Sequence, residues 1–222
     1  GDKKSMTGSL RGIGNVCLAQ KNYKKALKYY SEALKINEET RDKKGIANSL
    51  NNIANVYDEQ NNSKLALEYY HKSLEIKEQL GDKNSIAATL MNVGSVYNKK
   101  KEYDIASEYY SRALAIHEKT GHKKDIALSL INIGSLYSKK GNNKKAINKL
   151  EKGISIANEI HSRELIRSGY EELSKTYAKI NGYKSAYENH LLYSSVNDSL
   201  LDQANSNAIA EMQAKYETQK NE

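Results

Sequence analysis

A chain of 222 residues with 35 Lys and Arg against 27 Asp and Glu carries a net charge of +8. Its apolar runs all fall well short of the ~20 residues that cross a bilayer, which excludes a membrane-spanning helix. A single cysteine, Cys17, excludes an internal disulfide or thiol cluster and leaves the redox compartment open, while the absence of proline suits long uninterrupted helices.

The first element, SLRGIGNVC ending at Cys17, returns as SLNNIANVY at Tyr57, TLMNVGSVY at Tyr97 and SLINIGSLY at Tyr137, a period of 40 residues. Cut at that period, the chain divides into five repeats, 1–40, 41–80, 81–120, 121–160 and 161–200, followed by a remainder, 201–222. In the first repeat Cys17 stands where later repeats have tyrosine, a place for a packed small hydrophobe rather than a reactive thiol. In the second, Leu50, Ile53, Ala54 and Tyr57 follow the i, i+3, i+4, i+7 spacing of one helical face. After a break at Asn61–Asn62–Ser63 the same spacing returns in Ala66, Tyr70, Ser73 and Leu74, so each repeat predicts two helices of about 17 residues. Gly81 and Gly121 suit left-handed helix C-caps, and Asp42 and Asp82 are placed to cap the helices that follow. Small residues at Gly14, Ala54, Gly94 and Gly134 on the first helix, and at Ala26, Ala66, Ala106, Ala146 and Ala186 on the second, predict close approach of the two backbones.

The fourth repeat carries eight basic residues against three acidic ones, with Lys139, Lys140, Lys144, Lys145 and Lys149 around the turn between its helices. Nucleic-acid binding would call for arginines and aromatics interleaved along a groove, so this cluster reads as a solvated tip and no nucleic-acid partner is expected. The fifth repeat drifts from the pattern. In the remainder Leu201, Ala204, Ala208, Met212 and Tyr216 form one stripe, which predicts a C-terminal capping or linker helix that covers the fifth repeat. With no initiator methionine and charged sequence at both ends, the chain is expected to be part of a longer protein.

Sets such as Leu90, Val93, Gly94, Tyr97, Ala106, Tyr110 and Ala113 resemble the tetratricopeptide repeat. The resemblance implies an all-α fold, a right-handed α-solenoid of five antiparallel helix pairs. The 40-residue length, against 34 in the commonest form, is similar to that of kinesin light chains, bacterial peptide-sensing regulators and polarity adaptors. YKSAYENHLLYSSVNDSL, followed by IAEMQAKYET, is similar to segments that join repeat arrays to a membrane span and a histidine kinase in bacterial sensors. That similarity implies a sensory or interaction module of a signalling protein, periplasmic if it holds and cytoplasmic otherwise, with no direct membrane contact by this part of the chain. The later part of the C-terminal helix, with Lys215, Glu217 and Lys220 around Tyr216, is expected to pass a signal onward or to pair with a second copy.

The sequence holds no HExxH, paired CxxC, phosphate-binding glycine loop or Gly-x-Ser-x-Gly, so no enzyme, metal or cofactor is expected of it. The Gly-x-Gly of RGIGNV lies inside a helical pattern with no strand before it. Asparagine is an indifferent helix former, yet Asn52, Asn92 and Asn132 share one repeat position, and Asn15 and Asn55 share another that Ser95 and Ser135 continue. The fold implied by the resemblance turns the first helix of each pair toward the concave side. There a ladder of amides, each both donor and acceptor, can hold the backbone of an extended peptide. Arg11, Asn51, Met91 and Ile131 adjoin the ladder, as do Asn48, Ala88 and Leu128, giving a groove that runs from basic to apolar and suits a ligand with a carboxylate end and an apolar end. The alternative is a freestanding structural scaffold for complex assembly.

Overall fold

The computed structural model describes residues 3–196. Helices α1 (Lys3–Ala19), α2 (Tyr23–Glu39), α3 (Lys43–Glu59), α4 (Ser63–Leu80), α5 (Lys83–Lys99) and α6 (Tyr103–Thr120) precede α7 (Lys123–Lys139), α8 (Asn143–Glu159) and α9 (Arg163–Lys179). A tenth, α10, covers 183–196, and among the described residues there is no strand. The fold is all-α and of the α-solenoid class, made of antiparallel hairpins. The predicted helix over 201–222 lies outside the described residues.

Each turn is built alike. A residue of positive φ follows each helix, and the residue after it is the N-cap of the next. These left-handed residues fall at 21, 41, 61, 81, 101, 121, 141, 161 and 181, an interval of 20 throughout. Paired backbone bonds close the turn, as in Asn62 N–H to Tyr57 O at 2.8 Å and Asn61 N–H to Asp58 O at 2.9 Å, which satisfies carbonyls the helix end would otherwise strand. The predicted caps are present: Asp42 accepts from Gly45 N–H at 3.0 Å and Asp82 from Ser85 N–H at 3.1 Å. Asn22 and Asn62 cap α2 and α4 in the same way.

The described residues form two blocks, divided between Gly121 and His122. In the first, the close approach of paired helices is set by one aromatic ring per hairpin. A Cβ added at Gly14 would lie 2.5 Å from the Tyr30 ring, and one at Gly94 would lie 2.5 Å from that of Tyr110. The fully buried aromatics are therefore Tyr30, Tyr70 and Tyr110, whereas Tyr57 and Tyr97 are half-buried. Tyr57 stacks on Tyr69 at 5.5 Å and Tyr97 on Tyr109 at 5.6 Å, filling the outer part of each hairpin. Cys17 is buried against Ala26 and Tyr30, as its packing role requires. In the second block Leu150 stands in the tyrosine slot and meets Gly134. Around it Ala127, Ile131, Ile154, Ala157, Leu165 and Leu173 form the core.

Ile131 does not belong to the expected apolar groove end, whereas Leu128 is exposed. Ile131 is 2% exposed and packs over Gly153, so its side chain belongs to the core of the second block.

Candidate binding groove

Successive hairpins of the first block are joined by a buried polar seam. Asn37 on α2 donates to the Ser49 hydroxyl on α3 at 3.1 Å. One repeat later, Lys77 on α4 donates to Thr89 Oγ1 on α5 at 2.7 Å and to Asn51 Oδ1 at 3.2 Å. Thr89 in turn bonds Asn51 Oδ1 at 3.2 Å. Burial pushes the Lys77 ammonium down to about 8 against the opposing pull of the Asp82 carboxylate. The sequence reading missed this seam, although hydroxyl residues recurring at Ser49, Thr89 and Ser129 inside helices were a signal for it.

The candidate ligand residues divide by what they already touch. Asn15 accepts from the Tyr30 hydroxyl at 2.7 Å and Asn55 from the Tyr70 hydroxyl at 2.6 Å. Ser95 is bonded to the Tyr110 hydroxyl together with Asn98. This position therefore ties first helix to second within each hairpin, and the tyrosine's burial in turn raises the pKa of Tyr30, Tyr70 and Tyr110. In the second block the matching tyrosine is absent, and Ser135 donates to Glu172 on α9 instead. Asn51 is held in the polar seam.

Asn52 and Asn92 behave differently. Both are half-buried, and neither makes a hydrogen bond to another described residue. Asn132 has the same exposure and the same lack of a described partner in the second block.

Two hollows lie along the first helices of the first block. One, of about 290 Å³, is lined by Arg11 from α1, Asn37 from α2, the capping Asp42 and Lys44, Asn48 and Ser49 from α3, so that two cations face one carboxylate. Lys44 leans toward Asp82 at 3.7 Å, while Arg11 has no carboxylate partner among the described residues. The other, of about 480 Å³, is lined by Lys21, Asn55, Asp58, Glu59, Tyr70 and Asn92. Its acidic side is partly neutralised by the Lys99–Asp58 ion pair at 2.9 Å. The first block thus offers a cationic hollow and an acidic one, with unengaged amides in the same helices. Among the described residues no group of His, Cys, Asp or Glu could hold a metal ion, and no helix is long and apolar enough to cross a membrane.

The family profile of the tetratricopeptide repeat matches residues 6–79 and 85–159. The chain belongs to the tetratricopeptide repeat family. Solved structures give the same fold for this tetratricopeptide repeat chain at low identity. BtubC (BKLC) from P. vanneervenii is 18% identical with a TM-score of 0.80, over 89% of this chain and 82% of that one. The TPR-like repeats assigned to a kinesin light chain of Podosopora anserina are 16% identical with a TM-score of 0.71, over 86% and 95%. A Rap protein complexed with competence and sporulation factor is 19% identical with a TM-score of 0.72, over 91% and 66%. No curated protein matches the sequence. The family supports a role in protein–protein interaction.

Proposed function

We propose that this tetratricopeptide repeat chain is a non-catalytic module that binds an extended peptide along the first helices of its hairpins, within a larger bacterial signalling protein. The observation that carries the reading is the pair Asn52 and Asn92. These are half-buried amides at one repeat position, unengaged by any described residue; Asn92 lines the acidic hollow, and Asn52 stands on α3, which contributes residues to both hollows. Each amide keeps a donor and an acceptor open to water, and a peptide backbone supplies a partner for both. Arg11 receives the carboxylate end, and Asp58 and Glu59 face the amino-terminal side. Asn132 continues the pattern in the second block. The Rap protein, a structure of the same fold complexed with competence and sporulation factor, supports ligand binding by such an array. The similarity of the C-terminal segment to kinase-linked repeat arrays supports a sensory role, with self-association through residues 201–222 as its means of signalling.

A decapeptide display library selected on the chain tests this. Selected peptides should lose affinity by about 1–3 kcal/mol in the double variant Asn52→Ala/Asn92→Ala, each lost hydrogen bond counting for about 0.5–1.5 kcal/mol, while the melting temperature stays put. If the variant keeps its affinity, or melts early, the amides are structural and the scaffold reading takes over.

A further inference from the structure

We infer that the α7–α8 hairpin holds a second binding site, independent of the peptide groove, for a phosphate group carried on a planar ring. The fourth repeat lacks one ring that its predecessors carry. In the second and third repeats the outer hairpin is filled by stacked tyrosines twelve residues apart, Tyr57 on Tyr69 and Tyr97 on Tyr109. In the fourth the first ring is kept as Tyr137, but the position twelve residues on is Lys149. Where the second ring would lie there is a cavity of about 520 Å³, lined by Tyr137, Lys144, Lys145, Asn148 and Lys149. Lys145 Nζ stands 5.9 Å from the Tyr137 ring centre.

Charge points the same way. The cations beside the stacked tyrosines each have a carboxylate: Lys72 with Glu68 at 2.7 Å, Lys100 with Glu102 at 2.6 Å and Arg112 with Glu78 at 3.6 Å. Lys144, Lys145 and Lys149 have none among the described residues. The α7–α8 hairpin contains three acidic residues, and all are engaged elsewhere: Asp125 with His122 at 3.8 Å, Glu159 with Lys123 at 2.8 Å, and Glu151 with the Tyr177 hydroxyl. Three ammonium groups without counter-ions around a tyrosine face suit a ligand that supplies both missing pieces, a ring in the vacated stacking place and an anion for the lysines. Phosphate supplies the most charge and acceptors per atom. A phosphotyrosine side chain and a mononucleotide share this chemistry.

The test is titration of the ¹⁵N-labelled chain with phenyl phosphate, inorganic phosphate, O-phosphotyrosine and adenosine monophosphate. Phenyl phosphate should shift the amides of α7 and α8 and bind at least about tenfold more tightly than inorganic phosphate, the ring contact making the difference. Lys149→Tyr should rebuild the stacked pair of the other hairpins and abolish the binding with helicity unchanged. Tyr137→Leu, which keeps every lysine, should bring phenyl phosphate down to the level of inorganic phosphate. Whichever of O-phosphotyrosine and adenosine monophosphate binds more tightly names the source. Equal affinity for phenyl phosphate and inorganic phosphate, or unaltered binding in a folded Lys149→Tyr chain, would overturn the site.

Discussion

Tyr70 is 2% exposed, its ring closes the α3–α4 hairpin, and its hydroxyl is spent on Asn55. Replacement with alanine should cost about 3–5 kcal/mol in urea unfolding, as removal of a buried aromatic does. Tyr97, half-buried and stacked on Tyr109, should cost less than about 2 kcal/mol, most of it the stacking contact. From sequence the two tyrosine positions look alike, since both recur every 40 residues beside small residues. Only the side that the Gly14 and Gly94 gaps face tells them apart. Lys77 makes a second prediction. Its folded-state pKa, about 8, lies below the value near 10.4 of an unfolded lysine. Below pH ~8 both states hold the proton and the desolvation cost is present in full. Between ~8 and ~10.4 the folded chain releases the proton while the unfolded chain keeps it, so stability rises with pH. The raised tyrosine pKa values act in the opposite direction above ~10, which leaves pH 7.5–9.5 as the clean window. Across it the unfolding free energy should grow by about 1–2 kcal/mol, and Lys77→Met should remove that slope.

Among the helices and turns, six of the nine left-handed turn residues are not glycine: Lys21, Arg41, Asn61, Lys101, His161 and Asn181. A side chain in that region is strained by about 1–2 kcal/mol, part of which glycine returns to the unfolded chain as entropy. Lys101→Gly should therefore stabilise by about 0.5–1 kcal/mol, a rise of about 2–4 °C in melting temperature, while Gly81→Ala should lower it by a similar amount. These turns also show how far the sequence could be read. Asp42, Asp82, Gly81 and Gly121 announced their caps because their chemistry fits few other places. Lysine and arginine in the same backbone state carry no such mark, since what holds them there is the pair of backbone bonds across the turn. For the same reason the amide positions looked equivalent in sequence. Asn55 turned out to be bonded and Asn52 not, a difference set by the length of a tyrosine on the facing helix.

At the scale of the molecule, each hairpin of the first block packs on its neighbours through contacts close in sequence, α2 with α3 and α4 with α5. Stability in such arrays is a sum of hairpin and nearest-neighbour terms, so residues 1–121 expressed alone should fold. Circular dichroism should show a helical spectrum and a cooperative melt. A chain that stays unfolded would mean that the first block depends on the second. The backbone's interval is 20 residues, but the side-chain chemistry repeats only every 40, so the main chain is twice as symmetric as the sequence it carries. Recombination between genes meets that mismatch directly. Gain or loss of 40 residues returns every side chain to an equivalent setting. Excision of 20, for instance 42–61, would leave all remaining turns in phase yet move each later helix into its partner's place, with ring against ring and gap against gap. Such an array can lengthen or shorten only by whole hairpins, and its evolution is counted in even numbers of helices.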